Sequence, residues 1–174
     1  KSITAEVCIH HMLYSKKDYA TKKGFIKCNP SIKEEFDRLA LIEAVNNNNI
    51  DVIATDHAPH LISEKSGKYE DIPAGLPVIQ HSLRAVLELY HNGIFSLEKI
   101  IETLTINPSK ILKINKGTLK KGADGDICIF DLEAPWKLDA EKLKSKSKNT
   151  AIEDRNLQGK ILMTFLNGEL AFSQ

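Results

Sequence analysis

The chain has 174 residues, 42% of them hydrophobic, enough for a globular fold with a sizeable core. Lys and Arg total 24 against 23 Asp and Glu, and this near-zero charge argues against a nucleic-acid or membrane-surface partner. No apolar run is long enough for a transmembrane helix, and no signal-peptide pattern opens the sequence. Cys8, Cys28 and Cys128 are odd in number and widely spaced, which fits reduced thiols in a cytoplasmic protein better than a disulfide framework or a Cys-based zinc site. The sequence opens on Lys1 with strand-like residues following at once, so it is expected to be a piece of something longer.

Residues 3–9 are β-prone and partly alternating, and predict a strand. Ser15 with Asp18 suggests a short capped helix that Gly24 can end. Ser31 and Glu34 form a capping-box pattern before Phe36, Leu39, Ala40, Ile42 and Val45, expected on one helical face, with the asparagine run 46–49 closing the helix. Residues 51–55 read as the next strand, and strand, helix, strand in this order indicates a parallel α/β arrangement. Residues 61–77 form a long loop of the kind that often binds or covers a ligand. A helix is expected over 78–91 with Val78, Ala85, Val86 and Leu89 inward, a second over 97–104 capped by Ser96, and a turn of helix starting at Asn107-Pro108. The texture then becomes β-rich. Residues 127–131 read as a strand, 142–149 as a solvated lysine-rich loop, and Asn167-Gly168 as a two-residue hairpin turn.

The most informative stretch runs from Asp51 to His60. An apolar strand ends at Thr55, and Asp56, His57, Pro59 and His60 follow where its loop begins. Barrel enzymes place reactive side chains at such strand ends. A capped turn, with Asp56 accepting backbone N–H bonds, is the structural alternative. His10 and His11 are neighbours in what reads as a strand, so they would point to opposite faces and could not easily share one ion. Glu6 would face the core or approach a metal. His81 and His91 read as packing or surface residues, and His57 as a structural histidine.

Residues 55–60, T-D-H-A-P-H, resemble the signature of dihydroorotases, the zinc amidohydrolases of pyrimidine synthesis. Residues 4–11 look like the T-x-E-V-x-P-H-H segment of that family, with Ile9 where proline is usual. Residues 27–33 are similar to its K-x-N-P-x-x-[KR] segment, and residues 117–131, Asn149-Thr150 and residues 159–172 to its return to a small β-sandwich. The resemblance implies an α/β composite fold: residues 1–114 would supply the last strands and helices of a (β/α)8 TIM-like barrel, and residues 115–174 most of a β-sandwich. It implies reversible opening of dihydroorotate to N-carbamoyl-aspartate with one or two Zn2+ ions. Asp56 would be both zinc ligand and general acid/base, and Asn29 and His60 would bind substrate, with Ala74 and Gly75 offering backbone contacts.

The same resemblance places the remaining metal ligands upstream, so this chain alone is expected to be inactive and to need its own N-terminal half. A homodimer is implied, and aspartate transcarbamoylase is a possible partner. Two alternatives stand beside this reading. One is another cyclic amidase, a hydantoinase or allantoinase, against which His60 argues. The other is a non-catalytic dihydroorotase-like partner of aspartate transcarbamoylase.

Overall fold

The computed structural model describes residues 3–153 and 155–174. Strands β1 (Glu6–Cys8) and β2 (Val52–Ala54) pair in parallel, with Val7 opposite Ile53 and Cys8 opposite Ala54. Asp51 locks the start of this pair, since its Oδ2 accepts the Ala5 N–H at 2.9 Å while its own N–H donates to the Ala5 carbonyl at 2.9 Å.

β1 is shorter than expected because the backbone turns helical at Ile9, giving α1 (Ile9–Leu13). Ile9, Met12 and Leu13 are buried at helical spacing, and that burial outweighs the β propensity of the run. His10 and His11 therefore lie on a helix, and the argument that they face opposite sides of a strand fails. Their ring centroids are 4.4 Å apart.

Ser15 starts the next helical segment as expected, its N–H bonded to Asp18 Oδ2 at 2.8 Å, and α2 (Tyr19–Lys22) follows. Helix α3 (Glu35–Asn46) begins three residues later than the Ser31 pattern suggested. Its cap is Glu34, whose N–H donates to Asp37 Oδ2 at 3.1 Å. Ile42 and Val45 are buried, whereas Phe36 is 70% and Leu39 52% exposed. At 100° per residue Phe36, Leu39 and Ala40 cluster on the side away from Ile42 and Val45, so they form a second apolar face and not one stripe. Asn48, with φ 59°, helps end the helix.

The loop after β2 contains one helical turn, α4 (Ile62–Lys65). Helix α5 (Ser82–His91) buries Ala85, Val86, Leu87 and Leu89, with Val78 buried just before it. Ser96 Oγ accepts the Lys99 N–H at 3.1 Å and starts α6 (Leu97–Ile101). A π-turn over Glu102–Ile106 then leads without a break into α7 (Asn107–Leu112). Pro108 lacks an N–H, and Thr103, Thr105 and Ser109 bond back to preceding carbonyls, so the regular ladder is disturbed here.

The last three strands, β3 (Ile127–Lys137), β4 (Asn156–Leu166) and β5 (Glu169–Ser173), form one antiparallel sheet in that order. Asn167 (φ 52°) and Gly168 (φ 82°) supply the two positive φ angles that the β4–β5 turn requires. β4 lies against α5: Arg84 Nε donates to the Gly159 carbonyl at 2.9 Å and its guanidinium sits 4.3 Å from the Trp136 ring centre. A single apolar cluster joins Val7, Ile53, Val86 and Leu87 to Leu138, Leu143, Ile152 and Leu157. No helix among the described residues is long and apolar enough to cross a membrane.

Candidate active site

Asp56 stands just beyond the C-terminal end of β2, exposed, with φ 44°. That left-handed conformation is uncommon for a residue with a side chain, and Asp is among the few that tolerate it. Among the described residues no hydrogen bond or ion pair engages its carboxylate. The capped-turn alternative, with Asp56 satisfied by backbone N–H groups, has no such bond to support it.

Its electrostatic neighbours are thiols. Burial, with the charges of Asp56 and Glu6 added, pushes Cys8 up to about 11. Burial also pushes Cys28 up to about 11, with Cys8 and Asp56 adding to it and Lys65 opposing. Both thiols therefore stay protonated at neutral pH.

His57 caps the helical turn that precedes α5. Its Nδ1 accepts the N–H groups of Val78 (3.1 Å) and Ile79 (3.2 Å), which leaves the ring proton on Nε2. This is the structural role expected of it.

His60 and Ala74 meet: His60 Nε2 is 3.1 Å from the Ala74 carbonyl oxygen. The two backbones run side by side here, Ala58 N–H donating to the Leu76 carbonyl at 3.1 Å. Gly75 has φ 140°, and a Cβ on it would come within 2.6 Å of both the Cβ and carbonyl oxygen of Ala58 and 3.1 Å of His60 Cδ2. Only glycine fits that close approach. The Gly75 N–H donates to the Lys27 carbonyl at 2.8 Å, which joins this loop to the segment carrying Asn29. Asn29 is exposed and precedes Pro30 through a cis bond. The Pro30 carbonyl receives the His11 Nε2–H at 2.9 Å and the Cys28 thiol at 3.2 Å.

Three further features were not anticipated from the sequence. Lys65 is only 2% exposed, and its Nζ lies 3.0 Å from the Pro73 and Gly75 carbonyls and 3.4 Å from that of Lys27. Burial pushes it down to about 8. Residues 142–149 are not a freely solvated loop either: Ser147 and Asn149 are buried, and both donate to the His60 carbonyl, at 2.5 and 2.6 Å. Finally, Cys8, His10 and His11 hold potential metal-ligating atoms within 4.8 Å of one another. His10 is buried with neither ring nitrogen hydrogen-bonded, and burial followed by the neighbouring His11 pushes it down to about 4. The objection from strand geometry to these adjacent histidines falls, because both lie on one helical turn.

The amidohydrolase family profile matches residues 4–171. The dihydroorotase of Aquifex aeolicus is 41% identical over 170 residues, covering 98% of this chain and 40% of that protein. The dihydroorotase of Ehrlichia canis is 39% identical over 171 residues, covering 98% of this chain and 38% of that protein. The L-hydantoinase of Arthrobacter aurescens superposes with a TM-score of 0.91 at 24% identity, over 98% of this chain and 39% of that one. This chain thus spans about two fifths of the length of the relatives it matches. At that identity the hydantoinase shows a shared fold alone. The chain belongs to the amidohydrolase family.

Proposed function

We propose that this chain is the C-terminal portion of a dihydroorotase, a zinc-dependent hydrolase that opens the cyclic amide of dihydroorotate to N-carbamoyl-aspartate. The observation that carries the reading is the docking of the T-D-H-A-P-H loop on the Ala74-Gly75 turn. It puts His60 against Ala74, with Asp56 unengaged at the strand end two residues before Ala58. Residues 1–114 would be the last units of a (β/α)8 barrel. Residues 115–174 would contribute most of a small β-sandwich, and the rest of both would come from the remainder of the parent. A homodimer, and an association with aspartate transcarbamoylase, belong to the same proposal.

The residues present fit a metal. Asp56 offers an exposed carboxylate that no donor among the described residues engages, at the strand end where barrel enzymes do chemistry. Asp56 alone does not make a zinc site that wants three or four protein ligands, and on the dihydroorotase reading the others come from upstream sequence. Zinc, when bound, lowers the pKa of a water to about 7 and polarises the scissile carbonyl.

Asp56 then has two tasks. It takes the proton of the attacking water and returns it to the amide nitrogen as the ring C–N bond breaks. Asn29, exposed on its loop, offers a side-chain donor and acceptor to the ring amide or the carboxylate of the substrate. His60 Nε2 is turned to the Ala74 carbonyl, so its ring donates to an anionic substrate by releasing that bond or by taking a second proton on Nδ1. The backbone at Ala74 and Gly75 lies against His60, and contact of this turn with the substrate ring belongs to the same proposal.

Turnover of dihydroorotate, hydantoin and allantoin by the full-length parent tests the assignment. Preference for dihydroorotate supports it, whereas preference for either other ring transfers the chain to that activity. Assaying residues 1–174 alone tests the division of the site, since activity without the upstream ligands would contradict it.

A further inference from the structure

Lys65 is a buried charge that the proposed chemistry does not use. It is only 2% exposed, it sits at the end of the short helix α4, and three main-chain carbonyls surround its ammonium. A buried lysine ordinarily finds a carboxylate, because removing a cation from water is costly without one. Here no carboxylate partner is found among the described residues, and the ammonium is pushed down to about 8 by burial. Its three acceptors are not a random set. The Pro73 and Gly75 carbonyls flank Ala74, and the Lys27 carbonyl, two residues before Asn29, also accepts the Gly75 N–H.

An ammonium has three N–H donors and no acceptor, so it satisfies three carbonyls from two separate loops at one point. We propose that Lys65 is a positioning residue for the substrate: it fastens the loop of Ala74 and Gly75 to the loop of Asn29 and so sets the spacing between two substrate contacts. This rests on the dihydroorotase reading. Lys65 contacts neither substrate nor metal in this account, and its effect passes through the two loops it joins. Loss of the cation leaves Asp56 and the strand ends where they are. Substrate binding suffers and the chemical step does not.

The test uses Lys65→Met, which keeps the length and apolar stem, and Lys65→Gln, which keeps a donor without the charge. In the full-length parent both raise the KM for dihydroorotate about ten-fold or more, while kcat stays within about three-fold and zinc content is unchanged. In the same full-length parent, amide exchange of Gly75 rises at least about ten-fold, while Val86 and Leu87 in the core keep their protection. A KM unchanged in both variants, or exchange rising equally at Gly75 and in the core, overturns the proposal and leaves Lys65 a packing residue. An unmodified parent that does not turn over dihydroorotate overturns the functional reading instead, and exchange at Gly75 then decides alone whether Lys65 fastens the loops.

Discussion

Replacing Gly75 by alanine puts the loop packing under the most direct strain the structure offers. The backbone there has φ 140°, and the new Cβ would lie 2.6 Å from Ala58 Cβ and 2.6 Å from the Ala58 carbonyl oxygen. Neither contact is the free end of a flexible side chain, so the Ala74–Leu76 and Ala58–His60 backbones must separate. An unfavourable φ costs about 1–3 kcal/mol, and overpacking costs about 1–3 kcal/mol more. Partial relaxation of the loops brings the sum to about 2–4 kcal/mol. For a chain of this size that is a fall of roughly 5–15 °C in melting temperature. Native stabilities run at about 5–15 kcal/mol, so the variant should still fold. Urea unfolding is the assay, read as a lower midpoint at an unchanged m-value. A loss below about 0.5 kcal/mol, the range of ordinary surface substitutions, would mean that the two loops are not packed as described.

The His60 carbonyl gives a second prediction. Removing both of its side-chain donors in Ser147→Ala/Asn149→Ala should cost about 1–3 kcal/mol, measured by urea unfolding, because a half-buried acceptor loses its partners. A third concerns alkaline pH. Lys65 is held near 8 in the fold against 10.5 ordinarily, so the unfolded chain binds more protons between these values and the Lys65 contribution to stability rises with pH across that window. Cys8 and Cys28, pushed up to about 11, act oppositely over part of it. The test is therefore the difference in unfolding free energy between the unmodified chain and Lys65→Met, which should increase from pH 8 to 10.5. A fourth lies on the acid side. His81 is buried and pushed down to about 4, first by burial and then by Arg84, so stability should be lost as pH falls from 6.5 towards 4. His81→Met should make that limb of a pH series of urea melts shallower, the remaining slope belonging in part to His10, which burial also pushes down to about 4.

Strand β2 and its signature loop were legible because an apolar run ending in Asp and His has few other readings. The inward face of α5 was legible for the same kind of reason, since its period is clean. Local sequence could not show where α1 begins: Cys8 provides no side-chain cap, and burial of Ile9, Met12 and Leu13 decides the helix from outside. Phe36 and Leu39 match a helical period as well as Ile42 and Val45 do, and only tertiary packing tells which pair faces the core. Lys65, Ser147 and Asn149 were missed because polar residues in loops read as solvated. Their partners are main-chain carbonyls distant along the chain, which leave no trace in residue type.

On the proposed dihydroorotase reading, Asp56 serves as both ligand and proton carrier in dihydroorotate hydrolysis. The most direct measurement is zinc content and dihydroorotate turnover of the full-length parent and its Asp56→Asn variant. The account predicts zinc-dependent ring opening in the former and a fall of about 10²–10⁴-fold or more in the latter, with the variant still folded. Undiminished turnover in Asp56→Asn, or none in a folded zinc-loaded parent, would contradict it.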